Sequence, residues 1–251
     1  MKEWIIGRNP VYEVFRARRR QAFRLLVASG VEERGRLSEI LALAAAKHVP
    51  VERVQRQRLD SMGEGHQGVA LEVSAYSYSN LPDILDLASE RGEPLFVLIL
   101  DLLQNPQNLG SLMRTAEAAG VHGILIPLRR AAGVTPAVSH ASAGAAEHLL
   151  VAQVNLAQAI ETIKKQANAW VIGLEGGPEA QPIAQTRLDG PLALVVGNEG
   201  DGMRSLVRDS CDLLVSLPML GRVDSLNAAV AGSIVLYMAL LERQKKLPKA
   251  S

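Results

Sequence analysis

Short, nearly continuous apolar runs alternate along this chain with segments whose apolar residues recur at helical spacing. That alternation predicts an α/β fold. The runs at 95–100, 123–126, 170–174, 192–196 and 213–217 have the length of buried strands. Between them, helices are predicted over 81–91, around Leu112, Ala116 and Ala119, over 156–167, and from about 225 to 245. Strands apolar on both faces and separated by helices imply a parallel sheet covered on both sides. An earlier and smaller cycle precedes them. A helix begins at Asn9-Pro10, with Val11, Val14 and Phe15 on its apolar side. A strand at 23–28, a helix over 37–48, an extended piece at 49–51 and a strand at 69–73 follow. The polar stretch 76–80 divides the two cycles, so the expected domains are 1–75 and 81–251, with 76–80 as linker.

Composition narrows the class. With 48% hydrophobic and 21% charged residues, the chain has the makeup of a globular protein rather than a disordered one. A single cysteine, Cys211, excludes an internal disulfide framework and fits a reducing compartment. The opening residues lack a secretory pattern, and no apolar run approaches the ~20 residues that span a bilayer. A cytoplasmic protein without membrane attachment is expected. The net charge of +1 hides an asymmetry: residues 1–80 carry 13 Lys/Arg against 9 Asp/Glu. Arginine dominates that excess, notably Arg16, Arg18, Arg19, Arg20 and Arg24, and guanidinium suits bidentate contact with phosphate. A solvated helix face accounts equally well for such a charge run.

Ligands of open parallel sheets collect at the carboxyl ends of the strands, and loops of unusual composition stand there. One runs from Asp101 to Gly110 and leads into the helix that bears Arg114. Another is Gly197-Asn198-Glu199-Gly200-Asp201-Gly202. The last runs from Pro218 to Asn227. Taken singly, each also reads as an ordinary turn or helix cap. The glycine spacing at 197–202 is neither the dinucleotide fingerprint nor a P-loop. The five histidines have no metal-ligand spacing with one another or with Cys211, so no metal is expected. Cys211 adjoins an apolar strand and reads as a structural thiol.

Together and in this order, the loops resemble the motifs of the SpoU/TrmH family of RNA ribose 2′-O-methyltransferases. The first comprises Asn108-Leu109-Gly110 and Arg114-Thr115-Ala116. The second is residues 197–203, and the third joins Leu217-Pro218-Met219 to Ser225-Leu226-Asn227 and Ala231. Residues 6–11 and His66-Gln67-Gly68-Val69 are similar to the small ribosomal-protein-like substrate-binding domain of many members. Ser142-Ala143-Gly144-Ala145 and Glu147-His148 resemble the branch that methylates a guanosine of 23S ribosomal RNA. The alternatives are a transfer-RNA methyltransferase and a catalytically silent RNA-binding assembly factor.

The resemblance implies a carboxyl-terminal SPOUT domain with a parallel sheet and a deep trefoil knot, S-adenosylmethionine as cofactor, RNA as substrate and a homodimer. It makes Arg114 the central catalytic residue. A guanidinium keeps its proton up to pH ~12, so a clamp on the target phosphate and developing oxyanion is the expected role. The proton then goes to a phosphate oxygen or to Glu199, while Asn108, Ser225 and Asn227 fix the ribose and Arg114. Gly197, Gly202, Leu217, Met219 and Leu226 are the expected cofactor contacts. Arg8, Arg18, Arg19 and Arg20 are the expected RNA contacts.

Overall fold

The computed structural model describes residues 2–129, 132–198 and 200–246. In chain order the first elements are β1 (Lys2–Ile6), α1 (Arg8–Ala17), β2 (Ala22–Ala28), α2 (Arg36–Ala46), β3 (Val51–Val54), α3 (Arg56–Asp60) and β4 (Val69–Ser74). Then come α4 (Leu81–Arg91), β5 (Phe96–Leu100), α5 (Pro106–Ala118), β6 (Gly123–Pro127), α6 (Pro136–Ala141), β7 (Leu150–Val154) and α7 (Leu156–Ala167). The last are β8 (Trp170–Leu174), β9 (Gln181–Pro182), β10 (Leu192–Val196), α8 (Ser205–Asp209), β11 (Leu213–Ser216) and α9 (Ala228–Lys246).

The chain forms two compact units. One comprises the chain up to Ser77 together with Val134–His148, and the other comprises Tyr78–Gly133 and Leu149 onward. In the first, the sheet runs β1-β4-β2-β3. Strand residues alternate between its faces: Leu25 and Val27 join Val11, Phe15, Leu37 and Ile40 on one side, whereas Leu26 and Ala28 join Leu59 of α3 on the other. Segment 134–148 falls within the expected second domain by position, yet it belongs to this unit. Its Glu147 is buried and takes a 2.9 Å hydrogen bond from Arg20 Nε, and its Ser139 hydroxyl donates to Glu147 at 3.0 Å.

In the second unit the sheet runs β7-β6-β5-β10-β8-β11-β9, and every pairing is parallel, as the apolar strands predict. Val97, Ile99, Leu125, Val171, Ala193 and Val195 fill its core with Ile84 of α4 and Ile160 and Ile163 of α7. Helix α9 packs on α5 and β10. At Gly232 a β-carbon would stand 2.8 Å from Leu112 Cδ2 and 3.1 Å from Val196 Cγ2, so only glycine lets the helix approach this closely. Arg243, near the end of α9, donates to the carbonyls of Pro94, Leu95 and Gly190. These bonds tie the last helix to the chain leading into β5 and β10.

Two boundaries differ from expectation. The last helix starts at Ala228 rather than near 225, because the Asn227 side chain accepts hydrogen bonds from the amides of Ala229 (3.0 Å) and Val230 (3.2 Å). Asn105 caps α5 through the Gln107 amide at 2.8 Å, with Pro106 in the first turn. Asn108 therefore lies inside the helix rather than at its cap.

Candidate functional site

Strands β10, β8 and β11 are neighbours in the sheet, and the loops leaving their carboxyl ends enclose a cavity of about 240 Å³. Leu174, Glu175 and Gly176 line it from the end of β8. Val196, Gly197, Asn198, Gly200 and Gly202 line it from β10, and Leu217, Met219, Ser225 and Leu226 from the segment after β11. Segments remote in sequence thus share one wall, and the expected cofactor contacts Gly197, Gly202, Leu217, Met219 and Leu226 all lie on it.

The loop after β10 is closed on itself. Asn198 and Gly202 exchange backbone hydrogen bonds of 3.0 Å in both directions, and Gly200 donates to Asn198 Oδ1 at 3.0 Å. Gly202 sits at φ 69, in the left-handed region that favours glycine. Gly197 is required for a different reason, because the returning chain passes directly over it: a β-carbon there would meet Gly202 C at 2.4 Å. The exit of the loop is anchored by Asp101, which is buried at the end of β5. Its carboxylate accepts from the backbone amide and from Nε of Arg204, both at 2.8 Å.

The first and third motifs meet beside this cavity. Asn227 Nδ2 donates to Asn108 Oδ1 at 3.2 Å, and the Thr115 and Ser233 hydroxyls lie 2.9 Å apart. Arg114 is exposed on α5 and does not line the cavity. Among the described residues its guanidinium has no hydrogen-bond or ion-pair partner. Ser225 lines the cavity from an exposed loop. Glu199 lies outside the described residues. Sequence reading missed Glu175, Asp224 and the Asp101–Arg204 anchor. Glu175 follows β8 directly, so the strand-end rule applied to that strand would have found it.

The expected RNA contacts divide. Arg18 is exposed at the end of α1, and Arg19 is half-buried, donating to the Ser77 carbonyl at 3.3 Å. Arg8 donates through its backbone amide to Gln67 Oε1 at 3.0 Å and through Nε to the Gln67 carbonyl at 3.2 Å. Arg20 does not fit the expectation. Its side chain is 1% exposed and is committed to Glu3 at 2.7 Å and Glu147 at 2.9 Å, so it is an internal counter-ion. Cys211, half-buried, donates from Sγ to the Val207 carbonyl, and burial pushes its thiol up to about 12, in keeping with a structural thiol.

Residues 95–237 match the profile of the SpoU rRNA Methylase family, and residues 4–79 match that of RNA 2′-O ribose methyltransferase substrate binding. The 23S rRNA (guanosine-2′-O-)-methyltransferase RlmB of Pseudomonas putida is 40% identical over 246 residues, covering 97% of this chain and 98% of that protein. YacO of Bacillus subtilis, named for the TrmH family of tRNA/rRNA methyltransferases, is 43% identical over 245 residues, 96% of each chain. The fold is shared with the SpoU methyltransferase AviRb of Streptomyces viridochromogenes, solved in complex with its cofactor AdoMet. The TM-score is 0.80 at 23% identity, over 97% of this chain and 91% of that one. The chain belongs to the SpoU rRNA methylase family and carries an RNA 2′-O-ribose methyltransferase substrate-binding segment at its amino-terminal end.

Proposed function

We propose that this protein transfers a methyl group from S-adenosylmethionine to the 2′-oxygen of a guanosine ribose in 23S ribosomal RNA. The observation that carries the reading is the convergence of the motif loops. Two of them wall one cavity, and Asn108 and Asn227 join the third to it. The cavity suits the cofactor. Its walls combine the apolar Leu174, Val196, Leu217 and Leu226 with main-chain groups of glycines, as a purine beside a polar ribose and amino-acid tail requires. When bound, S-adenosylmethionine supplies a methyl group on a sulfonium, an electrophile that needs no further activation.

The chain's own task is alignment and proton removal. Asn227 is held by its capping bonds to α9 and by Asn108, so it presents a fixed amide beside the cavity. Arg114, exposed and without a partner among the described residues, is available to grip the target phosphate and stabilise the developing oxyanion. Glu199 or a phosphate oxygen takes the hydroxyl proton, and Ser225 helps hold the ribose. Arg114→Lys keeps the charge but loses the bidentate fork. Its turnover is expected to fall by at least tenfold with cofactor affinity unchanged, and near-normal turnover would refute the clamp.

Residues 1–75, joined by the segment 134–148 that packs with them, serve as the RNA-binding domain, with Arg8, Arg18 and Arg19 among its contacts, 76–80 as linker and the rest of 81–251 as the methyltransferase domain. A homodimer is supported by α9, where Val230, Ile234, Tyr237 and Leu241 leave an exposed apolar stripe. Among the described residues no helix is long and apolar enough to cross a membrane. A cytoplasmic location, where ribosomal RNA is found, fits the proposed substrate. Mapping 2′-O-methyl groups across total RNA from cells with and without this protein tests the whole reading. Loss of one 23S guanosine methylation is expected, whereas a lost transfer-RNA site, or no lost site, would overturn the assignment.

A further inference from the structure

We infer that Glu175 accepts hydrogen bonds from the ribose diol of the cofactor, and that Arg208 is the residue that positions it; this rests on the reading of the cavity as an S-adenosylmethionine site. Among the described residues the charged groups lining the cavity are Glu175 and Asp224, both acidic. They differ in how firmly they are held. Asp224 stands in an exposed loop. Glu175 directly follows β8, and its amide donates to the Val215 carbonyl of β11 at 3.0 Å. Its Oε1 receives Arg208 Nε at 3.0 Å, and the other side of the same guanidinium binds Glu179. Arg208 is thus fixed between two carboxylates and in turn fixes the carboxylate of Glu175, a residue that lines the cavity.

A carboxylate is an acceptor only, with about four lone-pair sites on its two oxygens. Arg208 uses one of them, and among the described residues the second oxygen of Glu175 has no partner. The donors that S-adenosylmethionine offers are its ribose hydroxyls, its adenine amine and its α-ammonium. The charge of Arg208 offsets the field of Glu175 toward a cation but leaves its lone pairs in place. A pair of neutral vicinal hydroxyls fits such a group better than the ammonium or the sulfonium does. The side chain is 27% exposed, enough for a ligand to reach it and little enough to make the bond count.

The test is calorimetric titration of the full chain with S-adenosylmethionine, S-adenosylhomocysteine, and the 2′-deoxy and 3′-deoxy forms of the latter. The wild-type chain is expected to bind each deoxy form about tenfold more weakly than S-adenosylhomocysteine, as for a lost hydrogen bond to a charged partner. Glu175→Ala is expected to lose more than tenfold for S-adenosylhomocysteine and to bind it and the two deoxy forms with equal affinity, so that the discrimination vanishes. Glu175→Gln, which keeps a carbonyl acceptor, restores part of it, and Arg208→Met weakens it while the carboxylate remains. A wild-type chain indifferent to the hydroxyls overturns the proposal, as does a Glu175→Ala chain that still discriminates. Loss confined to S-adenosylmethionine, sparing S-adenosylhomocysteine, would reveal a charge contact with the sulfonium instead and also overturns it. A wild-type chain that binds neither parent ligand refutes the cavity reading itself, a result distinct from all of these.

Discussion

Alanine at Gly197 probes the tightest point of the cavity wall. A β-carbon built there stands 2.4 Å from the carbonyl carbon of Gly202, 2.6 Å from its oxygen and 2.6 Å from the Met203 nitrogen. All are main-chain atoms, so no side chain can swing aside. Gly197 does not have a positive φ, which leaves close approach as the constraint there. Relief requires opening the turn and surrendering the two Asn198–Gly202 backbone hydrogen bonds. At about 1 kcal/mol for each bond, or about 1–3 kcal/mol if the strain is absorbed by overpacking, the cost is on the order of 2 kcal/mol. Borne by the wall that must receive the cofactor, that cost predicts S-adenosylmethionine binding about 30-fold weaker. Gly200→Ala is the control, because among the described residues its β-carbon would find only Asn198 Oδ1, at 3.9 Å. It is expected to change stability by less than about 0.5 kcal/mol. Calorimetric titration and urea midpoints of both variants decide the matter. Wild-type affinity and stability in Gly197→Ala would refute the steric reasoning, and so would equal losses in the two variants.

Other outcomes follow from the buried polar groups. His122 is buried; its Nδ1 accepts from the Phe96 amide at 3.0 Å, which leaves Nε2 to donate to Glu93 at 3.0 Å, so the ring is neutral. Burial lowers its pKa. As pH falls below ~6.5 the unfolded chain takes up a proton that the folded chain refuses. The contribution of His122 is therefore fully present above that pH and is lost as pH drops toward its lowered value. Urea midpoints at pH 8 and pH 5 are expected to differ less in His122→Leu than in the wild type, and identical slopes would contradict this. In the first unit, Arg20→Ala strands Glu147 in the interior and is expected to cost about 3–5 kcal/mol of stability. Arg18→Glu is expected to leave stability unchanged while weakening RNA binding and flattening its dependence on salt. Denaturation and filter binding at several salt concentrations separate the two.

What was legible in the sequence had a short period. The strands at 96–100, 123–127, 170–174 and 192–196 announce themselves because both faces of a parallel sheet are covered. The helix over 156–167 carries its buried Leu156, Ala159, Ile160 and Ile163 at helical spacing. Strands β1 and β7 escaped notice, since both lie at sheet edges: Lys2–Ile6 mixes charge with apolar residues, and its pairing with β4 is what makes it a strand. No local pattern marks 134–148 as part of the first unit. The candidate site shows the same limit. Each loop alone is a turn, and only the family resemblance joined them; the knot, which that resemblance implies, has no signature in periodicity at all.

The arginine run 18–20 makes the point most sharply. Counting charge treats Arg18, Arg19 and Arg20 alike, but the end of a helix turns successive residues in different directions. Arg18 takes a left-handed backbone at φ 57 that closes α1 and faces solvent. Two residues on, Arg20 stands just before β2 and enters the interior to meet Glu147, 127 positions away. A guanidinium so placed is matched by carboxylates before any phosphate can reach it, because removing a charge from water is tolerated only where a partner already waits. Basic density in sequence therefore falls in the segment that matches a substrate-binding family, 4–79, without saying which of its arginines stand exposed. In that segment, exposure sets the order in which arginines should be tested, with Arg18 first and Arg20 reserved as the measure of stability.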